Sequence, residues 1–214
     1  MATFSFKEEL QKIWRFLKDC RNEAIVIGAA LLFITLHRYH MIWNEWFSDL
    51  IYYAVFPILI SVILLRKNPL KMGLGWGESR VWWPYAGIVC LVSALVLFPF
   101  TLSPGLQDYY RMKDFAIVGY SLTTCVQLFS SEFFFRGFLI FGLKDRFKEG
   151  SIFIQMIPFV MVHLGKPEIE TLSTILTGIL FGYIAYKGKS FWPAFFIHMF
   201  INLFFVFIVN LVWL

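Results

Sequence analysis

Apolar blocks of membrane-spanning length follow one another along this chain, and they constrain its fold more than any other feature. A helix needs about 20 apolar residues to cross a hydrocarbon core ~30 Å thick. Inside that core the backbone polar groups must be satisfied within the segment, which a helix achieves. The blocks are residues 24–43, 50–65, 81–102, 115–143, 172–186 and 191–214. A shorter one, residues 151–164, carries Pro158 inside it. Such an interruption is tolerated where protein or water, rather than lipid, satisfies the backbone. The expected fold is all-α: a polytopic transmembrane helical bundle of about seven spans. The chain is 59% hydrophobic and only 15% charged, whereas soluble domains are nearer half apolar and a quarter charged. No stretch is left over for a second domain, so residues 1–214 read as one membrane domain.

Residues 4–21 follow a different pattern. Phe6, Leu10, Ile13, Trp14 and Leu17 share one helical face, and Lys7, Lys12, Arg15 and Lys18 lie off it. This predicts an amphipathic helix lying in the membrane interface. Four acidic residues by Glu23 and no continuous apolar core distinguish it from a signal peptide. With seven crossings, 14 Lys and Arg fall in loops on one side and 4 on the other, leaving Arg136 within the membrane. That bias predicts a cytoplasmic N-terminus in a plasma or inner membrane. The net charge of +5 is spread over these short loops, where it sets topology, so no nucleic-acid partner is expected. Cys20, Cys90 and Cys125 have neither metal spacing nor the pattern of a disulfide framework. His37 and His40 fit polar residues at a membrane boundary better than a metal pair. Gly73, Gly75 and Gly77 lack the strand context of a phosphate loop and read as an interfacial turn.

The polar residues inside the apolar blocks carry the chemistry. Glu132 and Arg136 lie within residues 115–143, His163 within the short block, and His198 with Asn202 in the last. Charges at that depth cost several kcal/mol unless they pair or face a polar cavity. Glu132 and Arg136 are four apart, as are His198 and Asn202, so each pair shares a helical face. Singly, each is explained by an ion pair or interhelical hydrogen bonding. Together they form a set able to hydrolyse an amide. A carboxylate and a neutral imidazole can deprotonate water, and an Asn amide with a second imidazole can stabilise an oxyanion.

Ser131-Glu132-xxx-Arg136, Phe159-xxx-His163 and His198-xxx-Asn202, in that order, resemble the CAAX-protease and bacteriocin-processing (CPBP, or Abi) family of intramembrane glutamic proteases. The resemblance covers residues 115–205 and includes Arg136-Gly137-Phe138-Leu139 and Ser190-Phe191-Trp192-Pro193. It implies a membrane-embedded, metal-independent endopeptidase. Its substrate would be a membrane-associated protein or peptide, such as a lipidated tail, a sorting signal or a bacteriocin leader. It also implies catalytic-site roles for Glu132, Arg136, His163, His198 and Asn202.

The family pattern opens on two glutamates, and the first, thought to activate water, is Ser131 here. Glu132 matches the second, which pairs with the arginine. Neighbouring helical positions point ~100° apart, so Glu132 does not inherit the first position's geometry. Three outcomes stay open: Glu132 serves as base in a rearranged site, Glu168 or Glu170 supplies the carboxylate, or the protein is an inactive membrane scaffold. Acidic residues also favour a helix N-terminus for structural reasons, which alone accounts for Glu168 and Glu170. A zinc set of Glu132, His163 and His198 is the second chemical option, without a His-Glu-x-x-His stretch to anchor it. Transport ranks lower, since the chain has no internal repeat.

Overall fold

The computed structural model describes residues 5–212, and every helix or strand element among them is helical. We number the helices α1 Phe6–Asp19, α2 Arg21–Tyr39, α3 Glu45–Ile63, α4 Ser79–Phe100, α5 Pro104–Tyr110, α6 Ile117–Phe147, α7 Gly150–Met161, α8 Glu168–Gly188 and α9 Trp192–Val212. The polytopic helical bundle expected from hydropathy is therefore the observed architecture. Phe4 and residues 213–214, at the ends of the expected first helix and last span, lie outside the described residues.

The number of crossings is smaller than expected. Five helices, α3, α4, α6, α8 and α9, are long and apolar enough to cross a membrane. A sixth arises if α1 and α2, bent by 84° at their junction, count as one span. The remaining expected crossing is α7, with 12 residues. At 1.5 Å per residue it is about 18 Å long, well short of the hydrocarbon core. One boundary also moves: α8 starts at Glu168 rather than Leu172. Between the apolar blocks, residues 104–110 form the short helix α5.

Burial distinguishes the centre of the bundle from its edge. In α6, 72% of the apolar window is buried inside the protein, against 11% in α4. Phenylalanines 133, 134, 135 and 138 are all sealed in the core. Immediately after Glu132 the helix widens into a π-type turn, Phe133–Leu139, that contains Arg136; such turns frequently mark functional sites. By contrast Leu91, Val92 and Leu95 of α4 point outward, as a lipid-facing helix requires. No residue of α1 is buried.

Ion pairs draw the loops richest in Lys and Arg together at one end of the bundle. Lys67 Nζ lies 2.8 Å from Asp145, Arg146 3.2 Å from Asp19, and Lys189 Nζ 2.5 Å from Glu78. At the same end the glycine loop seats the start of α9. Phe191 N donates to Gly73 O at 3.0 Å, Ser190 Oγ to Gly75 O at 2.6 Å, and Trp192 Nε1 to Leu74 O at 3.1 Å. Gly77 adopts φ +61°, and a Cβ there would stand 2.1 Å from Gly188 O. The glycines thus allow a close backbone approach that fixes the entry of the helix bearing His198 and Asn202. At the opposite end Asn210 of α9 donates to Tyr110 O at 3.0 Å, tying α5 to the bundle. Helix α7 leaves the basic end and stops short, so the residues just beyond it turn back within the bundle.

Candidate active site

His163 follows α7 in a turn closed by Lys166 N donating to its carbonyl, with Thr171 Oγ1 donating to the same oxygen at 2.9 Å. Its Nδ1 lies 2.7 Å from Phe159 O. A carbonyl only accepts, so Nδ1 carries the proton and Nε2 is left for the cavity. Phe159 is the hub of the site. Its ring centroid is 4.5 Å from the His163 ring and 6.4 Å from the His198 ring. The Arg136 guanidinium carbon sits 3.8 Å from the same ring centroid, a cation–π arrangement.

Glu132 and Arg136 are both fully buried. Arg136 Nε lies 3.2 Å from Glu132 Oε2, within ion-pair range but not aligned as a hydrogen bond. The other carboxylate oxygen, Oε1, is 2.6 Å from His198 Nδ1. Glu132 therefore spans two helices, holding the arginine of its own turn and the imidazole of α9. That geometry fixes the ring of His198 and leaves Nε2 for the cavity. Asn202, one turn on, accepts from Tyr120 Oη at 2.6 Å through Oδ1, which orients the amide and leaves Nδ2 free to donate. Ser131 Oγ reaches only the Leu128 carbonyl, at 3.4 Å.

One cavity of about 320 Å³ collects these groups. His163, from the turn between α7 and α8, and His198 and Asn202, from α9, line it amid apolar side chains such as Leu97, Phe100, Phe181 and Phe205. Glu132, Arg136 and Ser131 do not line it. Of the two other expected carboxylates, Glu170 lines this cavity, whereas Glu168 faces a separate shallow surface pocket. Glu170 is bonded to Lys166 Nζ at 2.7 Å and accepts a hydrogen bond from Tyr110 Oη. Burial, and the Glu170 carboxylate beside it, raise the Tyr110 hydroxyl above its usual value, so it stays a donor.

Among the described residues no three His, Cys, Asp or Glu side chains are grouped as a metal site. His37 instead pairs with Asp49, its Nε2 2.8 Å from the carboxylate.

The comparison with protein families now bears on this arrangement. Residues 113–204 match the family model described as Rce1-like, type II CAAX prenyl endopeptidase Rce1-like. This segment is similar to that family. It runs from the approach to α6 through the cavity-lining turn of α9, and the match is consistent with the CPBP resemblance. The protein is thus an integral membrane protein, and its residues 113–204 are similar to that endopeptidase family. No curated protein and no solved structure matches the chain.

Two partners of the site had no signal in the sequence, Tyr110 and Tyr120 as hydroxyl donors, while Phe159 falls in a motif of the sequence and only the structure makes it the shared ring. The tyrosines come from α5 and α6, and nothing in local spacing links them to Glu170 or Asn202.

Proposed function

We propose that the protein is an intramembrane endopeptidase that cleaves a membrane-associated, lipidated protein or peptide near its C-terminus. The reading is carried by one observation: His163, from the turn after α7, and His198 and Asn202, from α9, meet on a single cavity with largely apolar walls. An apolar cavity inside the bundle suits a substrate that arrives from the bilayer with its hydrocarbon attached. It also keeps bulk water away, so hydrogen bonds made there are stronger than in solvent. In this reading a carboxylate and His163 Nε2 hold and deprotonate one water. Asn202 Nδ2–H donates to the oxyanion, and His198 borders the same pocket. Arg136 keeps Glu132 ionised and in place, and Glu132 in turn positions His198 from outside the cavity. No metal ion takes part. The N-terminus and the basic end of the bundle face the cytoplasm, in line with the positive-inside bias, and α1 rests on that surface with its apolar face in the interface.

A second reading is favoured by Ser131: with the first glutamate of the family pattern replaced, the chain acts as a membrane scaffold without turnover. Purified full-length protein in lipid nanodiscs, given a fluorogenic peptide ending in a farnesylated cysteine and three further residues, separates the two. Release of the C-terminal tripeptide, identified by mass spectrometry, supports the endopeptidase. Intact peptide that is bound but never cut supports the scaffold.

A further inference from the structure

We infer that Glu170 is the carboxylate that activates water in this protein, taking over the work that the family pattern gives to a glutamate at the position of Ser131. The inference rests on the endopeptidase reading above and names the base of that same site.

Four observations converge on it. The position of the missing glutamate, Ser131, lies off the cavity. Glu132 is sealed, with one oxygen on His198 and the other facing Arg136. Glu170 is the carboxylate that shares the cavity wall with His163, His198 and Asn202. It is also held there: Lys166 and Tyr110 grip it from a loop and from α5. A glutamate serving only the helix N-terminus would have no need of a cross-helix hydroxyl donor. Lys166 and His163 line the same cavity as Glu170. The turn that presents His163 and the helix that presents Glu170 are joined directly by the bond from Thr171 to the His163 carbonyl.

The step is ordinary hydrolysis. A water held by His163 Nε2 loses a proton to Glu170 as its oxygen forms a bond to the scissile carbonyl carbon. The carbonyl π pair moves onto oxygen, where Asn202 Nδ2–H donates to it. Collapse of the tetrahedral centre breaks the C–N bond, and the departing nitrogen takes the proton from Glu170. The products are an amine and a carboxylic acid, which gives its remaining proton to the amine or to solvent, and Glu170 is ionised again.

The test uses the full-length protein in nanodiscs with the farnesylated peptide. Glu170→Gln is expected to lower kcat by about 10²–10⁴-fold, the usual share of a general base, with unchanged peptide binding. A second variant gives a readout that a structural role would not move. Glu170→Asp keeps a carboxylate on a shorter arm and should restore turnover well above the Glu170→Gln level. Turnover by the unmodified protein, with Glu170→Gln retaining the rate or Glu170→Asp no faster than Glu170→Gln, overturns the inference alone. No turnover by the unmodified protein overturns the endopeptidase reading and this inference with it.

Discussion

Glu132 and Glu170 are two carboxylates of one small bundle, and their surroundings assign them different work. Glu132 sits in the most buried helix, beside a widened turn, with an arginine and an imidazole as partners and no face on the cavity. Glu170 stands at the first turn of α8, on the cavity wall, held by a lysine and a tyrosine. The sealed carboxylate can orient its neighbours but cannot meet a substrate. The open one can exchange a proton with water. Sequence spacing points to Glu132 because it falls in the motif; under the proposed reading the reacting role falls to the residue outside the motif.

The largest effect should come from breaking the sealed pair. Glu132→Leu leaves a fully buried guanidinium without its counter-charge, and removing one partner of such a pair costs about 3–5 kcal/mol. Thermal unfolding in detergent, followed by size-exclusion fluorescence, should show a strongly destabilised protein. The double variant Glu132→Leu, Arg136→Met should recover much of that loss, because no uncompensated charge remains. A single variant as stable as the unmodified protein would remove the distinction between the two carboxylates.

Next in size is the oxyanion side of the cavity. Asn202→Ala should lower kcat by about 10²–10³-fold, the effect of losing one well-placed donor, while stability changes little. Single-turnover kinetics with the farnesylated peptide measure it, and a change confined to KM would instead make Asn202 a binding group.

The smallest effect concerns the spacing that brings His163 to Glu170. A Cβ at Gly182 of α8 would stand 2.9 Å from Ile152 and from Gln155 Nε2 of α7, and Gln155 also bonds the Gly178 carbonyl at 2.8 Å. Gly182→Val should cost about 1–3 kcal/mol through overpacking, read as a lowered melting temperature. It should also separate α7 from α8, so that turnover falls further than stability alone explains. A melting temperature that does not move would show that this contact does not set the spacing.

Much of this was legible in the sequence, for physical reasons. Spans of some 20 apolar residues declare themselves by length, and the pairs Glu132–Arg136 and His198–Asn202 by one helical turn. Polar residues in apolar runs stand out because lipid tolerates so few of them. What stayed hidden depends on tertiary placement. Helix α7 was read as a crossing because its composition is right, but 12 residues are too few; that shortness is what leaves His163 inside the bundle rather than at its surface. Glu170 carries the ordinary signature of a helix start, and only the position of α5 reveals Tyr110 beside it. The loop with Gly73 and Gly77 read as a turn; that it seats α9, and with it two site residues, required the close approach to Gly188 and Phe191.

The most direct measurement compares the unmodified protein with His163→Ala, matched for folded amount, on the farnesylated peptide in nanodiscs. His163 lines the cavity beside Glu170 and takes no part in the sealed pair, so its loss should spare the fold and remove the chemistry. The account predicts tripeptide release by the unmodified protein and a rate at least about 10²-fold lower in the variant. Equal rates from the two, or no release from either, would contradict it.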